Sequence, residues 1–526
     1  MSQELTGTPV VSLRERVKSP PAQALIDSYY APAVAAGIRF QFEAEMRIHL
    51  AHAVMLGERS IVGRPDVARI LEVLAELREA GPSALTIDYR QEDLYSYIER
   101  FIVERLGPET GGRLHTGRSR NDLHTTSWRL ALRTRLLDLL DVVGRVRRTL
   151  VDLVERHVDT VMPGYTHTQH AQPISLGYYL LAASDLVERD FRRLAAALDS
   201  TDRSPLGSGA LSTTGFPIDR ELTARLLGFQ GLVEVAYDGV AIRDDLQEAV
   251  AALAVLMTGV SRVATDLQTW NTMEFGFIEL DDAFSSVSSI MPQKKNPQGL
   301  EHVKAVAGMA IGTLNTVLAC AKNTALADVN DGVTAPNAPA LETIERVTKA
   351  LLVLDGTLRT LSVRPEVMRR AAEVGFGTAT ELADIIVRET GLSFRMAHNI
   401  VGRVVRETIE AGKTAAEIVS ADLDAAAMAL FDRSLAIPAE VVRKALDPAE
   451  NLKTRSVTGG PAPERMAEML IRRRATLAQD LDAIAGVRRR VAAADAELDA
   501  AVHRALAAAG PGGGADRRRG QQHGDS

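Results

Sequence analysis

The stretch Asp122–Val158, DLHTTSWRLALRTRLLDLLDVVGRVRRTLVDLVERHV, decides the fold class. Apolar residues recur at Leu132, Leu136, Leu139, Val143, Val146, Leu150, Leu153 and Val154, with arginines on the other faces. Steps of three and four place these side chains along one stripe of a helix. Asn121-Asp122 is read as its cap. At 1.5 Å per residue the helix would run about 55 Å, too long for the surface of a small domain, so it is read as part of a bundle. Pro163-Gly164 ends it. Similar stretches follow at 175–198, 238–275, 298–325 and 340–361, giving an expected set of five long helices. Shorter helices are expected from Thr378 to about Arg504, the first opened by a Thr378-x-x-Glu381 capping box.

The composition agrees with an all-α chain. Aromatic residues make up 4% of 526 residues while hydrophobic residues reach 46%, a balance that favours helix over sheet. A length near 150 residues per domain suggests about three units. We divide the chain into an N-terminal helical region with an arm (1–121), a central bundle (122–362), a C-terminal helical region (363–508) and a low-complexity tail (509–526). A net charge of -7 leaves no footprint for nucleic acid. The single cysteine, Cys320, rules out an internal disulfide and a cysteine-based metal site, and its apolar setting reads as a buried thiol. The most apolar run, Ala249–Met257, is short for a membrane span, and Met1–Val10 lacks a signal-peptide pattern. The expectation is a cytoplasmic protein.

Three polar loops interrupt the helical pattern. The first, His115–Asp122 (HTGRSRND), offers the Arg120 guanidinium as a fork for a carboxylate, with Ser119 and Asn121 as neutral donors. It reads equally as a capped helix with surface arginines. The second, Gly164–Pro173 (GYTHTQHAQP), carries His167, an imidazole able to move protons, but no metal-binding spacing. The third, Ser285–Glu301 (SSVSSIMPQKKNPQGLE), groups Ser288, Ser289, Gln293, Lys294, Lys295 and Asn296 around two prolines, a composition suited to an anion. Its Ile290-Met291 pair reads as an anchor to a core. Glu301, just inside the next helix, is placed to charge a histidine from another loop or simply to favour the helix start.

The third loop resembles the G-S-S-x-M-P-x-K-x-N-P signature of the aspartase/fumarase superfamily, with Val287 in place of the glycine. Within that superfamily the MPQKKNP form, the LHTGRSRND of the first loop and the GYTHTQHAQP of the second are most similar to argininosuccinate lyases. The likeness runs from about Phe40 to Arg474. It implies a mainly helical subunit of three regions and a homotetramer on a shared bundle, each active site drawing loops from three subunits. It implies a cofactor-free carbon–nitrogen lyase that removes fumarate from an N-succinyl compound, argininosuccinate foremost. Ser288 would be the base, supported by Lys294. His167, charged by Glu301, would act on the leaving-group side. Ser119, Arg120, Asn121 and Asn296 would hold carboxylates, with Thr166 and Gln169 lining the pocket.

Departures cluster on the other half of the substrate. The family's D-x-x-G-S-x-A-H reads Glu45–His52 here, so His49 stands at the substrate-contacting serine. Its E-D-I-H reads Glu92-Asp93-Leu94-Tyr95, so Tyr95 stands for the histidine. N-S-x-D-A-V becomes Val235–Val240, Y-N-x-D-x-Q becomes Val329–Thr334, and His170 replaces an arginine. Three outcomes stay open: argininosuccinate lyase activity, the same elimination on another aspartate-derived adduct, and an inactive, crystallin-like homologue. Of the other superfamily members, adenylosuccinate lyase is disfavoured by the forms of the first and third loops, while fumarase activity would show as malate formation from fumarate.

Overall fold

A computed structural model describes residues 16–17 and 19–508. The elements that position the site are, in order, α1 (Phe42–Glu58), α2 (Leu94–Gly111), α3 (Arg120–Arg156), the hairpin β1 (Val161–Thr166) and β2 (Gln169–Ser175), α4 (Leu176–Thr201), α5 (Asp244–Trp270), the short hairpin β3 (Ser286–Val287) and β4 (Lys295–Asn296), α6 (Gln298–Ala321), α7 (Asn337–Thr360) and α8 (Pro463–Ala508). The fold is all-α around five long helices: α3 packs on α4 and α7, α4 on α5, and α5 and α7 on α6. The stripe read from the sequence is the seam. Leu132, Leu136, Leu139, Val143 and Val146 of α3 are fully buried with Leu194, Leu253, Leu256, Val303 and Val347.

Helix α3 starts two residues earlier than the sequence reading. Its cap is Ser119, which accepts from the Asn121 N–H, while the Asp122 carboxylate accepts from the Ser119 N–H. Nor do all its arginines face outward. Arg133 donates to Asp202 Oδ1 and to the Gly228 and Leu227 carbonyls, each at 2.9 Å, and Arg147 donates to Asp480 at 2.7 Å; both are buried. They join the bundle to the 202–228 segment and to α8, which a stripe analysis cannot foresee.

Around the bundle lie two further cores. One holds α1, the helix Arg64–Ala80 and α2, which is kinked at Gly107-Pro108. The other holds the short helices between Ala379 and Leu446. The expected capping box at Thr378 is not formed: Thr378 is itself helical, and Glu381 pairs with Arg388 and Arg455 instead. The stretch after Pro463 is one helix of 46 residues, where shorter ones were expected. Leu470, Leu477, Ile484 and Leu498 recur at multiples of seven and bury its inner stripe along α3, α1 and the helix Arg64–Ala80. Cys320 is only half-buried. The arm proves helical from Gln23 onward; residues 1–15 and the tail 509–526 lie outside the described residues. Two helices, α5 and α6, are long and apolar enough to cross a membrane by length and hydropathy, although no single apolar run suggested it. The apolar window of α5 is 61% buried in the bundle, whereas that of α6 is 28% buried.

Candidate active site

The first loop is fixed from behind. Asp122 Oδ2 accepts from the Gly207 and Gly209 N–H groups at 2.9 and 3.0 Å, tying the start of α3 to the 204–215 turn. Gly209 sits at φ +61, and a Cβ there would come 2.6 Å from the Thr213 carbonyl oxygen, so glycine is required. Burial pushes the Asp122 carboxyl up to about 6 against three backbone N–H donors.

The three carboxylate-binding candidates therefore stand at the N-terminus of a 37-residue helix. Asn121 donates to the Ala210 carbonyl at 3.3 Å. The fork of Arg120 is already engaged, its Nη1 donating to Glu92 Oε2 at 2.8 Å and to Asp93 Oδ2 at 3.2 Å. Asp93 in turn caps α2 through the Ser96 N–H. In front of these groups opens a cavity of about 770 Å³, whose lining includes Tyr29, Glu92, Arg120, Asn121, His124 and Asp328. Sequence reasoning gave no role to Tyr29, Glu92, Asp93, His124 or Asp328. His124 had a signal: it lies one helical turn after Arg120, so the two share a face.

His49 and Tyr95, expected at the substrate, are buried behind the loop. Arg118 Nη2 donates to His49 Nδ1 at 2.8 Å, and burial beside Arg118 keeps His49 neutral. The Tyr95 hydroxyl donates to Glu99 at 2.6 Å and lies 2.8 Å from His115 Nδ1. His52 Nε2 donates to the Thr116 carbonyl at 2.9 Å. These residues brace the loop from inside.

Glu45 lies in the same interior with both carboxylate oxygens unpartnered among the described residues, and burial pushes its carboxyl up to about 8. The unfolded chain releases this proton near 4.5 and the folded chain only near 8, so folding stability falls as pH rises between those values. Glu45→Gln imitates the protonated acid. It is expected to stabilise the protein by at most about 3 kcal/mol at pH 7, with little effect at pH 4.5. Thermal midpoints of the two proteins across pH check this; parallel curves would refute it.

The second loop is a hairpin. Thr166 pairs with Gln169, so His167 and Thr168 form a two-residue turn, at φ +51 and +60. Positive φ at both positions is the pattern of a type I′ turn, which matches strand twist but strains non-glycine residues. Thr166, His167 and Gln169 are all exposed at its tip. The third loop is also a hairpin, Ser286 pairing with Asn296 and Val287 with Lys295. Within it the Met291 and Ile290 N–H groups donate to Ser288 Oγ at 3.0 and 3.4 Å. Lys295 is held by Asp282 at 2.7 Å, whereas the Lys294 and Glu301 side chains are exposed. The Ile290-Met291 anchor is not formed among the described residues: Ile290 is 82% and Met291 40% exposed. Among the described residues no hydrogen bond or ion pair joins the second or third loop to the first, or His167 to Glu301.

The family described as Lyase matches residues 30–312, more than half of the chain, and the family described as Argininosuccinate lyase C-terminal matches residues 376–453. Argininosuccinate lyase 1 of Shouchella clausii is 38% identical over 480 residues, covering 91% of this chain and 96% of that protein. The argininosuccinate lyase of Methanosarcina acetivorans is 41% identical over 455 residues, covering 86% and 90%. The chain belongs to the argininosuccinate lyase family. It is a carbon–nitrogen lyase of the aspartase/fumarase superfamily. The crystal structure of an EDDS lyase in complex with formate shares the family's fold with it at a TM-score of 0.84 and 33% identity, over 94% of this chain and 98% of that one.

Proposed function

We propose that this lyase splits an N-succinyl compound into fumarate and an amine, with argininosuccinate, which would give arginine, as its leading substrate. The observation that carries the reading is the pair of backbone N–H groups aimed at Ser288 Oγ. A serine removes a carbon-bound proton only as an alkoxide, and such donors, with Lys294 nearby in sequence, stabilise that anion. Ser288 takes the proton from the carbon next to a carboxylate, whose oxygens gather the charge as an aci-carboxylate. The charge then returns to form the double bond of fumarate as the carbon–nitrogen bond breaks and the nitrogen leaves with a proton. His167, charged by Glu301, serves the leaving-group side. Ser119, Arg120, Asn121 and Asn296 hold the carboxylates, and Thr166 and Gln169 line the pocket.

Because no hydrogen bond or ion pair joins the first loop to the other two among the described residues, the working site is assembled between subunits of a cytoplasmic homotetramer. Exposed Met309, Ile311 and Leu318 on α6, with Ile290 and Met291 on the third loop, support such a contact. Incubating the purified protein with argininosuccinate and following fumarate and arginine tests the reading. Equimolar release is expected. A second reading, the same elimination on another aspartate-derived adduct, is favoured by His49, Tyr95, Val329 and Thr334 at family positions that differ, and by the likeness to an EDDS lyase. Fumarate from a different N-succinyl amine and none from argininosuccinate would select it. No fumarate from any such compound would leave the inactive homologue.

A further inference from the structure

We propose that His124 is a positioning residue that makes Arg120 available to substrate, its imidazolium taking over Asp93 when the guanidinium turns to a substrate carboxylate. This rests on the reading that Arg120 binds such a carboxylate. Arg120 Nη1 is committed to two carboxylates, Glu92 and Asp93. Withdrawing it would strand the Asp93 carboxylate, which is sheltered at the start of α2 and cannot simply be hydrated away. His124 Nε2 lies 3.4 Å from Asp93 Oδ2, the same oxygen that Arg120 Nη1 reaches at 3.2 Å. The two cations thus compete for one atom across the wall of the cavity. At 3.4 Å the imidazole is an ion-pair neighbour that makes no hydrogen bond, so a small approach becomes possible once the guanidinium leaves.

The charges around His124 suit this exchange. Asp93 faces it from the start of α2, Glu45 from α1, Asp328 from the segment between α6 and α7, and Arg120 from its own helix. Burial opposes the imidazolium, but Asp93 outweighs burial and raises its proton affinity above the ordinary value. Burial opposes the Asp93 carboxylate too, yet His124, Ser96 and Arg120 hold it ionised. Glu45 stays protonated to about pH 8 and adds no competing charge at neutrality. The imidazolium therefore persists to higher pH than that of an ordinary histidine and is lost as pH rises past its raised value. Substrate binding should weaken on the same alkaline limb.

The test uses the full-length enzyme, its N-succinyl substrate and fumarate as a competitive inhibitor, across pH. His124→Gln is expected to raise KM and the fumarate inhibition constant about tenfold, with kcat falling less, and to abolish the alkaline weakening of binding. His124→Lys, a fixed cation, should recover binding and carry it to higher pH than wild type, which a packing role would not do. Arg120→Gln should weaken fumarate binding at every pH. If Arg120→Gln leaves fumarate binding unchanged, the carboxylate assignment itself fails. If Arg120→Gln weakens binding while His124→Gln leaves KM and its pH profile as in wild type, or His124→Lys fails to rescue a stable His124→Gln enzyme, the assignment stands and the role of His124 is overturned.

Discussion

Ser288→Ala is expected to cut the rate of fumarate release by about 10²–10⁴-fold while leaving the thermal midpoint within about 1 °C of wild type. The reasoning is local. Ser288 Oγ accepts from two N–H groups of its own loop and makes no other hydrogen bond among the described residues, so the fold loses little with it. The chemistry loses its base, and the donors then face a methyl group. Substrate binding should survive, because the carboxylate-holding groups are elsewhere, so the loss falls on kcat. The neighbouring hydroxyl supplies the control: Ser289 is exposed and without such donors among the described residues, and Ser289→Ala should retain far more activity. Steady-state fumarate release by both variants decides. Equal activity in Ser288→Ala and wild type would remove Ser288 from the mechanism.

Arg133→Met is expected to be the most damaging single change for stability, by about 3–5 kcal/mol. Arg133 is 1% exposed and donates to Asp202 and to the adjacent Leu227 and Gly228 carbonyls at the end of the helix Arg220–Leu226. Methionine occupies similar space but leaves Asp202, itself buried, with Arg490 as its remaining ion pair. Breaking one side of a buried pair costs more than the pair contributes, because Asp202 stays desolvated with Arg490 alone to compensate its charge. The double variant Arg133→Met/Asp202→Leu should therefore recover part of the loss. Thermal inactivation midpoints of the three proteins measure this. A single variant as stable as wild type would show that Arg490 alone suffices for Asp202 and overturn the prediction.

Much of the architecture was legible along the chain, because the seam of α3 is a long stripe of leucine and valine at helical spacing, which local periodicity reports. The heptad of α8 was equally regular but diluted by alanine, and it went unread because its partners are α1, α3 and the helix Arg64–Ala80, hundreds of residues away. The hairpin within the second polar loop carries no local signal, because His167 and Thr168 are not the glycine or asparagine that announce a type I′ turn. The Thr378-x-x-Glu381 pattern misled for a tertiary reason: Arg388 and Arg455 outcompete the helix end for the Glu381 carboxylate.

The candidate site divides the same way. By itself the sequence determined the helical class, the long-helix bundle and the residue types offered for chemistry, since each rests on local pattern or on a contiguous motif. Ser119, Arg120 and Asn121 follow one another, as do the groups of the third loop. Only the tertiary structure decided that Arg120 meets Glu92 and Asp93, that His49 and Tyr95 turn inward while His124 and Tyr29 face the cavity, and that Glu45 is sealed off from water. Those outcomes depend on which segments far apart in sequence are brought against the start of α3, and on how much water is left beside each charge. No local pattern encodes that balance of burial and pairing.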